Sequence, residues 1–147
     1  MKVFTLLALV SPIVASAIKR DDIQVNCGQP AGASDTQLLA SEYSYPVSQL
    51  LKGGDATVHF YKGPAFCYVV SCNPGSGDNA GVTVCNDADK EVDIAYADMA
   101  WFAQRVYDKC KVRHDDGKDY LQKGQAFNPD ADWNVFLSDL GPNACHN

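Results

Sequence analysis

The sequence predicts an α+β domain: an antiparallel sheet of four to six strands with two or three helices on one face, stapled by three disulfides. Three observations carry this expectation. Short runs rich in β-branched and aromatic residues alternate with turn clusters, one later segment has a helical apolar stripe, and six cysteines follow an N-terminal export signal.

The chain opens with Lys2, an apolar run over 3–14 interrupted by Thr5, Ser11 and Pro12, and the small-residue triplet Ala15-Ser16-Ala17. These are the parts of a cleaved signal peptide over residues 1–17. The apolar run is too short to cross roughly 30 Å of hydrocarbon, and Pro12 would break it. Lys19-Arg20 has the form of a kexin-type processing site, so 18–20 reads as a short pro-segment. The mature domain is then 21–147.

Ser34 and Gln37 have capping-box spacing ahead of Leu38-Leu39, so a short helix is expected to start there. Pro46 lacks an N–H and clashes with the turn before it, which argues against one helix running through Lys52. A second start near Tyr45, with Pro46 in the first turn, is expected instead. Val47, Leu50 and Leu51 would form its apolar face, and Gly53-Gly54 would end it.

Residues 56–61 (ATVHFY) alternate, with Val58 and Phe60 on one face and Thr57, His59 and Tyr61 on the other. Gly63-Pro64 break the run before a strand over 66–72 (FCYVVSC). A turn-rich loop, NPGSGDNA, leads into 81–85 (GVTVC), and a polar turn over 86–89 precedes alternation over 90–96. From Asp98 to Cys110, Met99, Phe102, Ala103, Val106 and Cys110 recur at helical spacing and form one buried stripe. Residues 112–119 are polar and read as a loop. Two late strands, 125–127 and 133–137, flank the turn Asn128-Pro129-Asp130.

Cys27, Cys67, Cys72, Cys85, Cys110 and Cys145 all lie in the mature part, and an even count in an exported chain implies three bridges. Five residues along a strand span about 16 Å, beyond the roughly 7 Å Cα limit of a bridge. Strand alternation also points Cys67 and Cys72 to opposite faces. Without that pair, twelve of the fifteen connectivities stay open. A hairpin centred on Gly75 and Ser76 would set Cys67 close to Cys85. Cys145 is placed to pin the tail.

The precursor carries a net charge of −6. The mature part keeps all eighteen acids and nine of the twelve bases, so its balance is more acidic still. That balance argues against nucleic acid and against anionic lipid as partners. No later segment is apolar enough for stable membrane insertion, and a monomer is expected.

Catalytic signatures are sparse. His59, Glu91, Arg105 and His114 are the best set for ribonuclease-like acid–base chemistry, yet no spacing links them, and His146 sits near the C-terminus. No Gly-x-Ser-x-Gly elbow occurs. Asp89, Glu91 and Asp93 read as a solvated face. Asp115, Asp116 and Asp119 around Gly117 lack the EF-hand order. No Cys-x-x-Cys pair is present, so neither metal nor cofactor is expected. Among the aromatics Tyr61, Tyr68, Tyr107, Trp101 and Trp133, a recognition surface is expected at Trp101, Tyr61 and Tyr107, with Trp133 in the core.

Several short motifs resemble a family of small secreted cysteine-rich proteins of filamentous fungi. They are Cys27-Gly28, Cys67 with Cys72, Cys85-Asn86-Asp87, Asp98-Met99-Ala100 with Ala103 and Cys110, Gly124-Gln125-Ala126-Phe127, and Asn134-Val135. They cover most of the mature chain and are similar in outline to the necrosis-inducing effector and killer-toxin-like families. The resemblance implies virulence or antagonism by binding a protein or cell-surface component of a host or competitor. It transfers no catalytic residue. The acidic balance departs from cationic toxins and argues against direct attack on membranes. The expectation is therefore an extracellular, non-catalytic, effector-like binding protein, with a small secreted hydrolase such as a ribonuclease as the alternative.

Overall fold

The computed structural model describes residues 23–28, 37–64, 66–75, 79–141 and 145. The predicted signal peptide and pro-segment, the predicted cap at Ser34, Ser76 and His146 lie outside the described residues. The elements run β1 (Gln24–Cys27), β2 (Leu38–Leu39), α1 (Ala40–Gly53), β3 (Thr57–Phe60), β4 (Phe66–Cys72) and β5 (Ala80–Asn86). They continue with β6 (Val92–Ala95), α2 (Tyr96–Cys110), β7 (Lys111–Arg113), β8 (Asp119–Leu121), β9 (Gly124–Phe127) and β10 (Trp133–Asp139).

A five-stranded sheet has the order β1-β9-β10-β5-β4, and β2-β8-β7 and β3-β6 form smaller sheets, with every pairing antiparallel. The predicted α+β class holds, with two helices. Both pack on one face of the large sheet. In register, Val25, Ala126, Val135 and Val84 form one row across that face, with Leu137 opposite Val82 in another. All are buried with Tyr43, Val47 and Leu50 of α1 and the α2 stripe Met99, Phe102, Ala103, Val106 and Cys110. Each fully buried large apolar side chain contributes roughly 1.5–3 kcal/mol. Trp133 joins this core as expected, its ring 4.6 Å from that of Phe102.

Three expectations need correction. First, Leu38-Leu39 form a strand, not a helix start, and α1 runs unbroken through Pro46. The cost of the proline is local: it leaves the Glu42 carbonyl without its helical N–H. The Asn73 side chain supplies a donor there, at 3.1 Å. Leu51 falls off the buried face and is exposed.

Second, the polar stretch after α2 is a hairpin, with β7 paired to β8. Its turn closes through the Gly117 N–H to the His114 carbonyl, 3.0 Å, with Gly117 at φ +78°. Ladders this short and this polar lack the alternation that marks a strand. β1 and β2 were likewise illegible.

Third, a bulge at Val70 shifts the register between Val69 and Ser71. One extra residue resets the alternation. Cys67 lies opposite Cys85 and Cys72 opposite Gly81, four residues apart on β5, so the two cysteines share a face.

The bridges are Cys27–Cys110, Cys67–Cys85 and Cys72–Cys145. The first ties an edge strand to the end of α2, the second crosslinks the β4–β5 ladder, and the third fastens the tail to β4.

Candidate functional site

The corner where β3, β4 and β6 meet carries a run of aromatic side chains. Strand alternation sends Phe60 inward, where it is fully buried, and leaves His59 and Tyr61 outward. Tyr61 is 54% exposed and Tyr68 36%. The ring of Tyr61 lies 5.5 Å from Phe66 at 80°, and Phe66 lies 4.9 Å from Tyr68 at 84°. Tyr68 in turn sits 5.4 Å from the buried ring of Phe60, which roots the strip in the core.

At the other end of the strip, the His59 ring meets Tyr61 edge-on at 5.2 Å. His59 lies opposite Asp93 in the β3–β6 ladder, its Nδ1 2.9 Å from the Asp93 carboxylate. Its Nε2 is 3.6 Å from Glu91. Both carboxylates are exposed.

A buried asparagine holds this corner in shape. Asn86 is fully buried, and its Nδ2 donates to the Tyr61 and Lys90 carbonyls, both at 2.8 Å. Its Oδ1 accepts from the Ala88 N–H at 3.0 Å. The Gly63 N–H adds a bond to the Ala88 carbonyl, 2.7 Å. Any side chain at Gly63 would collide with the Asn86 and Ala88 carbonyls, so this close approach requires glycine. One side chain thus fixes both the Tyr61 segment and the loop that leads into Glu91.

The other predicted surface residues lie in separate clusters. Trp101 is half-buried, its ring 5.1 Å from Phe102 and capped by the Arg105 guanidinium at 4.8 Å. Tyr107 lines a hollow of about 150 Å³ between α1 and α2, with Ser44, Val47, Ser48, Leu51 and Gln104. The Lys111 ammonium lies 5.4 Å from the Tyr107 ring centroid.

The acid–base set does not assemble. His59 and Glu91 meet on an open surface, whereas Arg105 packs on Trp101 and His114 on Tyr120 at 4.5 Å. The carboxylates near Gly117 serve the hairpin itself. Asp116 accepts from the Lys118 N–H and from the Tyr120 hydroxyl, both at 3.0 Å. The backbone bond leads in holding the Asp116 carboxyl below its ordinary value, and the bond to Asp116 raises the Tyr120 phenol. Asp119 pairs with Arg113 at 3.0 Å. Among the described residues, no group of three or more His, Cys, Asp or Glu is placed to hold a metal ion.

Sequence reasoning missed Phe66 and Asn86. The Phe66-x-Tyr68 spacing placed those two rings on one strand face; nothing local marked Asn86 as a hub. No protein-family model matches the chain, and neither does any curated protein or solved structure.

Proposed function

We propose that the chain is exported, cleaved and oxidised, and acts outside the cell as an effector-like binding protein. Its working surface is the strip Tyr61–Phe66–Tyr68 with the adjoining His59, presented to a molecule of a host or competitor. One observation carries this reading: solvent-exposed rings stand on a base fixed by Phe60, Asn86 and the Cys67–Cys85 bridge. Aromatic anchors on a rigid base bind with little loss of conformational entropy. Three disulfides are compatible with an oxidising compartment. Among the described residues, no helix is long and apolar enough to cross a membrane.

The test is binding of labelled, oxidised mature protein to intact candidate host or competitor cells, beside Y61L/Y68L and reduced, alkylated controls. The native protein is expected to bind and both controls to fail. Equal binding by the Y61L/Y68L variant would remove the strip from the function.

The contact of His59 with Glu91 and Asp93 favours a second reading, a small hydrolase such as a ribonuclease. RNA cleavage by the native protein that His59→Ala abolishes would replace binding with catalysis.

A further inference from the structure

We infer that the aromatic strip takes a cationic side chain, namely arginine carried by an extended basic segment of a partner protein; this rests on the binding role proposed above. Three observations lead there. The first is ring geometry. Successive rings along Tyr61, Phe66 and Tyr68 turn by 80° and 84°, so the strip is corrugated, with its two exposed tyrosines on either side of Phe66. A cation placed over such a face is attracted by the ring quadrupole, and a planar guanidinium can also stack on it.

The second observation is the pair of carboxylates at the end of the strip. Glu91 and Asp93 both approach His59, and among the described residues the imidazole is the one basic group within ion-pair distance of either. One imidazole cannot neutralise two exposed carboxylates. A guanidinium arriving along the strip finds acceptors that suit its forked donors.

The third is the surrounding charge. From Asp55 to Asp93 the chain has six acids and two lysines, and the whole sequence carries −6. Such a field draws a basic segment in and repels an acidic one. A neutral sugar would stack on the rings and donate its hydroxyls to the carboxylates, but it would leave their charge uncompensated. Arginine stacks on the rings and compensates that charge.

The experiment titrates the oxidised mature protein with a blocked Gly-Arg-Gly-Arg-Gly-Arg peptide and with its citrulline counterpart, which keeps shape and loses charge. Chemical shifts are followed by NMR, and a chito-oligosaccharide serves as the neutral aromatic-binding probe. The arginine peptide is expected to move resonances of His59, Tyr61, Phe66, Tyr68, Glu91 and Asp93. The citrulline peptide should bind about tenfold more weakly or worse. Asp93→Asn and Glu91→Gln, which keep side-chain shape, should each weaken the arginine peptide by about three- to tenfold.

Equal binding of the two peptides, or shifts that map away from the strip, overturns the inference. If the sugar moves the strip and the arginine peptide does not, the cationic partner is wrong while the surface stands. Cell binding unchanged in Y61L/Y68L takes the surface reading down as well.

Discussion

The Asn73 side chain donates to the Glu42 carbonyl, the group that Pro46 leaves without a helical partner in α1. The same Nδ2 reaches the Glu42 carboxylate at 3.0 Å, and the Asn73 Oδ1 accepts from the Gly75 N–H at 3.1 Å. A residue just past β4 therefore repairs a defect in a helix thirty-one positions earlier. Proline in a helix interior ordinarily costs about 3 kcal/mol, and this bond offsets part of it.

Asn73→Ala is expected to destabilise the domain by about 1–3 kcal/mol, the cost of an orphaned carbonyl. Pro46→Ala restores the N–H, so Asn73→Ala should cost less in that background. A double-mutant cycle by urea denaturation checks this, with a coupling of at least about 0.5 kcal/mol expected. Strict additivity would show that Asn73 does not act through the proline gap.

Tyr43 is fully buried, and among the described residues its hydroxyl has no hydrogen-bond partner. Burial, aided by the negative charge of Asp139, pushes its phenol well above the ordinary 10.0. Above pH 10.0 the unfolded chain loses this proton while the folded chain keeps it, so Tyr43 contributes a fall in stability as pH rises. Tyr43→Phe removes both the unpaired hydroxyl and that titration. It should stabilise by about 1 kcal/mol at neutral pH, and its advantage should widen above pH 10.0. Melting curves of the two proteins from pH 7 to 11 decide it; a constant or shrinking difference rejects the argument.

The bridges should differ in weight. Cys27–Cys110 spans 83 residues and Cys67–Cys85 spans 18. Loop-closure entropy assigns them about 4.5 and about 3 kcal/mol. Paired alanine variants should lose stability in that order, measured by denaturant midpoint. Peptide mapping of the oxidised protein should recover the three pairs, and any free thiol would contradict the assignment.

Asn86→Leu is expected to cost about 3 kcal/mol or more, because it strands the Tyr61 and Lys90 carbonyls and the Ala88 N–H in a buried site. It should also loosen Tyr61, seen as faster acrylamide quenching and weaker near-ultraviolet dichroism of tyrosine. Asn86→Asp keeps the acceptor for Ala88 but sets a buried carboxyl against the Tyr61 and Lys90 carbonyls, so it should cost at least as much. Unchanged tyrosine signals in the leucine variant would separate Asn86 from the strip.

Local sequence determined the elements that carry their own period. The α2 stripe and the alternation of 56–61 were legible because side-chain periodicity is a property of neighbouring residues, and the 66–72 strand and the late strand at Trp133 because aromatic and β-branched residues cluster there. Tertiary structure decided what depends on distant partners. Pro46 sits inside a helix whose freed Glu42 carbonyl Asn73 satisfies, and Cys67 and Cys72 share a face because of a bulge at Val70. β1, β7 and β8 are strands only through the ladders they complete. The candidate site divides the same way: Tyr61 and Tyr68 stood out as aromatics, but only folding set their rings on either side of Phe66, beside His59 and above Asn86. Long-range hydrogen bonds and ring contacts leave no periodic trace along the chain, which is why composition and spacing reached the elements and not the surface they build.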